Sequence, residues 1–182
     1  MSTAEGGGNI VTDGLVLLLD AANTKSYVSG STIWNDLSRS GNNGSLINGP
    51  TFNSLNGGSI VFDGSNDFIE GTITVPTSFT FNVWLKMTSY GLYAPEFNIW
   101  PIYGGNRGWG IFSFVLGSSG GYIGTDVATR FIPSDLIGFY NLNIIQNLSF
   151  SYGSGIGTLY KNGVFFKSKS MTAPGYVGQL KT

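Results

Sequence analysis

The side chains that could perform chemistry in this chain are few, and carboxylates are the only plausible catalytic groups. The 182 residues include no histidine and no cysteine, so the commonest general base, the imidazole metal ligand and the thiol nucleophile are all absent. Glycoside hydrolysis needs two carboxyl groups about 5–10 Å apart across the scissile bond. The glutamates Glu5, Glu70 and Glu96 are isolated from one another in the sequence. We therefore predict that the protein is not an enzyme.

Aromatic and amide side chains offer a second kind of chemistry, the binding of sugars. Sugar rings stack on exposed Trp and Tyr faces, while amide and guanidinium groups bind the hydroxyls. The candidate glycan-binding residues lie in or beside one Gly- and Asn-rich stretch, and they are Trp100, Tyr103, Asn106, Arg107 and Trp109. The alternative is that Trp109 begins a core strand and that Trp100 fills the edge of the fold, as aromatic residues usually do.

One loop rich in oxygen ligands suggests a metal site. Asp63 and Asp67 flank Gly64, Ser65 and Asn66, and calcium prefers several carboxylate and carbonyl oxygens. A typical calcium loop has more carboxylates than this one. The favoured interpretation is a tight turn in which Asp and Asn side chains bind the local backbone. We therefore expect no cofactor, with calcium at Asp63 and Asp67 as the alternative.

Short apolar segments separated by turn residues predict strands throughout the chain. The predicted strands are residues 15–20, 59–63, 67–70, 79–87, 99–103, 109–116, 127–132, 140–150, 158–161 and 164–168. Residues 79–87 alternate between apolar and mostly polar side chains, which indicates one core face. Trp84 lies on the other face, where we expect a loop to cover it; a ligand-bearing face is the alternative. Asn162-Gly163 between two apolar segments predicts a hairpin, and the whole pattern predicts an all-β antiparallel β-sandwich.

Charge and hydropathy exclude two classes of partner. The formal net charge is −1 and only 10% of the residues are charged, so we expect no nucleic-acid binding. The apolar run at residues 15–19 is far shorter than the roughly 20 residues that cross a bilayer, so we expect no membrane insertion.

We predict a flexible Gly-rich arm at residues 1–9 and a single domain at residues 10–182.

Three segments add a resemblance to a known family. Residues 9–23, 34–52 and 57–69 resemble the laminin-G-like domains of the concanavalin A-like lectin/glucanase superfamily. They are most similar to the version found in virion structural proteins of tailed phages, especially cyanophages. The resemblance implies a jelly-roll β-sandwich. The Glu-x-Asp-x-x-Glu cluster of the superfamily's glucanases is missing from this sequence.

The resemblance implies a non-enzymatic virion structural protein, such as a capsid decoration protein, a head fibre or a tail-fibre module. Residues 1–8 contain no basic or apolar segment of signal-peptide length, so we expect synthesis in the host cytoplasm. Together with the resemblance, this gives the virion as the expected location, and an unusual secretion route is the alternative. The expected partners are other virion proteins, copies of the chain itself and cell-surface glycans of the host. A carbohydrate-binding, lectin-like adhesin module is the alternative, and a glucanase is the third.

The resemblance also implies a closing strand beside residues 15–20. The sequence after the hairpin does not match the family's usual closing strand, so we expect residues 15–20 to form an exposed edge strand. Another subunit or virion protein would then cover that edge, for example by adding a strand. The alternative is that residues 176–180 fold back as a short substitute.

Overall fold

A computed structural model describes residues 11–74, 76–88, 96–100, 112–115, 122–124, 129–172 and 178–181. Two 3-10 turns, Leu55–Gly57 and Pro133–Asp135, lie between its strands. The strands are β1 (Ile33–Trp34), β2 (Gly44–Ile47), β3 (Thr51–Asn53), β4 (Ser59–Val61), β5 (Phe68–Ile73), β6 (Phe79–Leu85), β7 (Glu96–Trp100), β8 (Phe112–Val115), β9 (Tyr122–Gly124), β10 (Gln146–Gly153), β11 (Ile156–Lys161), β12 (Val164–Ser170) and β13 (Gly178–Lys181).

Two sheets form the layers of the fold. The larger sheet has the strand order β1-β2-β5-β13-β7-β8-β9, and the smaller has the order β12-β11-β10-β6. The short strands β3 and β4 pair separately. Neighbouring strands in each sheet run antiparallel, and the two sheets pack on either side of one core. The predicted all-β antiparallel β-sandwich is confirmed.

The main core lies between the two sheets because alternate residues of each strand face inward. Leu148, Phe150 and Leu159 of the smaller sheet are fully buried there, and Ile73 and Ile123 of the larger sheet belong to the same cluster. A second cluster lies beside it, formed by Tyr27, Leu46 and Ile69 with Trp34, Phe52 and Ile60 packed around them.

The prediction of a strand at residues 15–20 is wrong. These residues belong to no strand, and groups from a distant loop bind their backbone. The N–H of Leu18 donates to Oδ1 of Asp36 at 2.8 Å, and the C=O of Leu18 accepts from the N–H of Leu37 at 2.9 Å. Nδ2 of Asn42 donates to the C=O of Val16 at 2.7 Å. The exposed edge strand that would have recruited a partner is therefore not formed.

A short strand does form near the end of the sequence. Gly178–Lys181 pairs with β5 on one side and with β7 on the other. Its position differs from the predicted one, which was beside residues 15–20. The larger sheet therefore contains this strand in its middle, where both of its edges are hydrogen-bonded.

Two more predicted strands differ from the structure. The strand predicted at 140–150 begins only at Gln146, because residues 143–144 turn and Leu142 makes a single bridge to Met87. In the segment 127–132, residues 127–128 lie outside the described residues, and Phe131 makes one bridge to Ile123. The predicted arm at 1–9 also lies outside them. Among the described residues, no helix is long and apolar enough to cross a membrane.

Candidate functional site

The four-stranded sheet has one face in the core and one face toward solvent. Along β6, Phe79, Phe81 and Val83 pack against the core, so the alternate residues point outward. The register between β6, β10, β11 and β12 places their outward residues in rows. We call this set the outer face: Thr80, Asn82, Trp84, Asn147, Ser149, Ser151, Ile156, Thr158, Tyr160, Phe165, Ser168 and Ser170. No member of it is charged, and the exposed Lys86 lies just beyond it, two residues after Trp84.

Trp84 is the most prominent residue of the outer face. Its side chain is 70% exposed, and it stands on β6, the edge strand of the smaller sheet, directly opposite Asn147 of β10. The expectation that a loop covers Trp84 is wrong. An indole ring is large and apolar, so leaving most of it in water marks a surface that can gain free energy by contact.

A cluster of polar side chains lies next to Trp84. Asn147 is only 8% exposed, and its Nδ2 donates to Oδ1 of Asn82 at 2.6 Å. The hydroxyl of Ser149 donates to the same oxygen at 3.0 Å. The Oδ1 of Asn82 is therefore saturated, whereas its Nδ2 has no partner among the described residues. Asn82 is itself exposed, so this fixed amide presents two N–H donors to a ligand.

A second aromatic group stands across the sheet from Trp84. The rings of Tyr160 and Phe165 meet edge to face with centroids 6.3 Å apart, and Phe165 is 60% exposed. A β-bulge at Leu159 and Tyr160 leaves Phe166 as the extra residue of β12. Phe166 packs against Phe139 in the core, with centroids 5.0 Å apart. The bulge thus orients two consecutive phenylalanines, one into the core and one onto the outer face.

The hairpin that holds Phe165 is built as its sequence predicts. Asn162 and Gly163 have φ values of 51° and 77°, which is the geometry of a tight hairpin turn. Oδ1 of Asn162 also accepts the backbone N–H of Asn147 at 2.9 Å. This hydrogen bond fixes the turn against the neighbouring strand and close to the polar cluster.

A groove of about 830 Å³ lies at the opposite end of the outer face, beside residues 11–15. Thr80, Ser151 and Thr158 line it, and their hydroxyls make no side-chain hydrogen bond among the described residues. Asp13 is the one carboxylate among the described residues of the lining. Free hydroxyls suit a polar, uncharged ligand.

The lysines of β12 do not charge the outer face. Lys167 and Lys169 lie on the other side of their strand, where their Nζ atoms are 2.7 and 3.2 Å from the carboxylate of Asp135. Nζ of Lys169 also donates to the C=O of Arg130. Burial raises the pKa of Asp135, but the hydrogen bonds from Lys167, from the N–H of Ile132 and from Lys169 outweigh it and hold the pKa at about 2.

The candidate calcium residues form a turn. Oδ1 of Asp63 accepts the backbone N–H groups of Ser65 at 2.8 Å and Asn66 at 3.3 Å. The first of these bonds lowers the pKa of Asp63 most. Oδ2 of Asp67 accepts the N–H of Asp63 at 3.0 Å, and Gly64 has a φ of 75°. Within the described ranges, no group of three or more acidic side chains could hold a metal ion.

The glycan-binding residues predicted from sequence fall mostly where side chains are not described. Trp100 ends β7 in the larger sheet, where its backbone is paired with Gln179. Tyr103, Asn106, Arg107 and Trp109 lie outside the described residues, so that cluster stays a prediction. Sequence reasoning missed the polar cluster and the Tyr160–Phe165 pair. The alternation of residues 79–87 and the Asn162-Gly163 turn were the signals that could have located them.

Comparison with known proteins supports the fold. No protein-family model matches the chain, and no curated protein matches it. Among solved structures, it is similar to domain 4 of AbnA, a GH43 extracellular arabinanase from Geobacillus stearothermophilus, solved in complex with arabinotriose. The TM-score is 0.60 at 13% identity, over 81% of this chain and 76% of that one. At this identity the likeness shows a shared β-sandwich fold.

Proposed function

We propose that this chain is a carbohydrate-binding β-sandwich domain without hydrolytic activity, and that its outer face holds an uncharged glycan. The proposal rests on Trp84, a 70% exposed indole beside the hydrogen-bonded cluster of Asn82, Asn147 and Ser149. The similar arabinanase domain was solved with arabinotriose bound, which supports the same class of ligand.

The chemistry of this surface matches that of a neutral sugar. The C–H face of a sugar ring is apolar and stacks on an aromatic ring, while its hydroxyls need donors and acceptors at its rim. Trp84 supplies the aromatic ring for stacking, and the free Nδ2 of Asn82 supplies hydrogen-bond donors. The residues of the outer face are uncharged, so a neutral ligand matches them best, although the exposed Lys86 continues the alternation of β6 beyond Trp84.

The positions of the carboxylates support binding without hydrolysis. Among the described residues, Asp13 is the one carboxylate that lines the groove, and a glycosidase needs two carboxyl groups across the scissile bond. Asp135 is engaged with Lys167 and Lys169, away from the outer face. We therefore propose that the glucanase alternative does not apply.

A virion structural role is the second candidate, and the sequence resemblance of residues 9–23, 34–52 and 57–69 favours it. A protein displayed on a phage particle could contact host glycans through the outer face, so the two roles are compatible. The same surface would serve a lectin-like adhesin. Mass spectrometry of purified virions tests this role, and absence of the chain from every particle preparation would overturn it.

The binding proposal is tested on an array of neutral polysaccharides and oligosaccharides, followed by titration calorimetry. Trp84→Ala should weaken binding at least about tenfold, because the loss of one stacked aromatic ring costs on the order of 1.4 kcal/mol. Leu55→Ala is the matched control, because Leu55 is 69% exposed but lies away from the outer face. Absence of binding to every glycan, or unchanged binding by Trp84→Ala, would contradict the proposal.

Trp100→Ala separates the two candidate sites. If the outer face is the site, this variant binds as the wild type does. If the predicted cluster of Trp100, Tyr103, Asn106, Arg107 and Trp109 is the site, Trp100→Ala loses binding and Trp84→Ala keeps it.

A further inference from the structure

We infer that the outer face binds an extended neutral glycan that crosses the strands, from Trp84 to the Tyr160–Phe165 pair. This inference rests on the proposed function and adds the length and direction of the ligand. It predicts that the site contacts several consecutive sugar units and not a single one.

The register sets the distance between the two aromatic positions. Trp84 is opposite Asn147 on β10, whereas Tyr160 is opposite Ser149, two residues farther along the same strand. Strand spacing and rise then place Tyr160 about 12 Å from Trp84, and Phe165 about 16 Å from it. One sugar ring is similar in size to one aromatic ring, so a ligand that touches both positions needs at least about three consecutive rings.

The surface between the two positions suits the middle of such a chain. Asn82 and Ser149 are opposite each other on β6 and β10, and Tyr160 continues the same row on β11. The amide of Asn147, on the neighbouring strand β10, donates to Oδ1 of Asn82, so the Nδ2 donors of Asn82 are held in place before a ligand arrives. Preorganised donors lose little entropy on binding.

The bulge in β12 is a second, independent feature of this path. Without the extra residue Phe166, the regular pairing of β12 with β11 would continue past Leu159 and Tyr160 of β11. With it, Phe165 meets Tyr160 on the outer face while Lys167 still reaches Asp135 on the other side. Bulges often re-aim a side chain at a binding site, and here the re-aimed residue is an exposed aromatic ring at the end of the row.

The competing path runs along the strands into the groove. A ligand in that direction would leave Trp84 and pass Thr80, Ser151 and Thr158 toward Ile156, which is 49% exposed. Among the described residues of the outer face, that path offers hydroxyls but no second aromatic ring. The two paths therefore depend on different side chains, and substitution distinguishes them.

The test is calorimetric titration of the whole chain with neutral arabino-, xylo-, manno-, gluco- and galacto-oligosaccharides of one to six units. For the series that binds, we expect affinity to rise about tenfold or more between two and four units. Phe165→Ala should remove this rise and leave the affinity for the shortest ligand within about twofold. Val164→Ala is the matched control, since Val164 is 69% exposed in the same hairpin but is not part of the outer face.

Each outcome separates this inference from the proposed function. If no member of any series binds, the proposed function fails and the inference fails with it. If binding depends on Trp84 but does not increase with length, or if Phe165→Ala keeps the increase, only the inference is overturned. If Ile156→Ala loses the rise in affinity with ligand length while Phe165→Ala keeps it, the glycan binds along the strands toward the groove.

Discussion

The two faces of the four-stranded sheet differ sharply although the same strands form both. On the inner face Leu148, Phe150 and Leu159 are fully buried, and their neighbours are other apolar side chains. On the outer face Trp84 and Phe165 are 70% and 60% exposed. Folding free energy therefore comes mainly from one face, which leaves the residues of the other free to be selected for binding.

The polar groups follow the same division. On the outer face they bind one another, as Asn147 and Ser149 bind Asn82, and so remain correctly oriented without a ligand. On the inner side, Leu148, Phe150 and Leu159 are apolar and need no such network, while Lys167 and Lys169 pair with Asp135. Substitutions on the two faces should consequently affect different measurements.

The largest expected effect is on stability, from the inner face. Phe150→Ala should lower the free energy of unfolding by about 3–5 kcal/mol, because it leaves a cavity between the sheets. Trp84→Ala should change it by less than about 0.5 kcal/mol, since the indole has little packing to lose. Denaturant titration measures both values. Comparable losses in the two variants would refute the division between the faces.

A smaller effect is expected at Asp36, which holds residues 15–20 against the sandwich. Burial raises the pKa of Asp36. Hydrogen bonds from the hydroxyl of Ser38 and from the backbone N–H groups of Leu18, Ser38 and Asn42 together lower it by more, so the pKa lies below the ordinary 3.8. Asp36→Ala should cost about 1–3 kcal/mol, because backbone N–H groups lose their acceptor.

Val16 and Leu17 of that segment pack against the main core, so Asp36→Ala should loosen the inner side and leave glycan binding intact. Asp63→Ala is the control, because Asp63 also accepts backbone N–H groups but is exposed. Denaturant titration of both variants measures the difference. An equal loss of stability in the two would show that Asp36 has no special anchoring role.

The smallest effect is a pH dependence at Asp135. Its pKa of about 2 in the folded protein lies below the ordinary 3.8, so its stabilisation is present above pH 4 and is lost as the pH falls toward 2. Because Lys167 and Lys169 are partly exposed, solvent screening limits the contribution to about 1 kcal/mol or less.

Unfolding free energies of the wild type and Asp135→Asn, compared between pH 6 and pH 2, measure this contribution. The difference should shrink as the pH decreases, and glycan binding at pH 6 should be the same in both. A difference that stays constant down to pH 2 would show that the ion pairs do not stabilise the fold.

Sequence patterns predicted the faces better than they predicted the sheet neighbours. The alternation of residues 79–87 correctly separates inner from outer residues, because a strand has a period of two whatever it pairs with. Residues 15–20 have an apolar, strand-like composition, but Asp36 and Asn42 supply their hydrogen-bond partners from far along the chain. β2 was missed because Gly44 and Ser45 are typical of turns.

The candidate site depended on information that a local pattern does not contain. Whether a loop covers Trp84 is decided by distant segments, and here 70% of the residue stays exposed. The outward position of Phe165 depends on a bulge opposite Leu159 and Tyr160, which arises from the pairing of two strands. Composition suggested sugar-binding chemistry, but the positions of these rings needed the fold.

The most direct test of the outer-face site uses the indole N–H signals of the four tryptophans in a two-dimensional NMR titration. The ligand is the neutral oligosaccharide that binds most tightly in the calorimetric series, and Trp84→Phe assigns the signal of Trp84. We predict that the Trp84 signal shifts with saturation, while that of Trp34, whose indole nitrogen is buried, stays in place. A stationary Trp84 signal, with the signal of Trp100 or Trp109 moving instead, would contradict binding at the outer face.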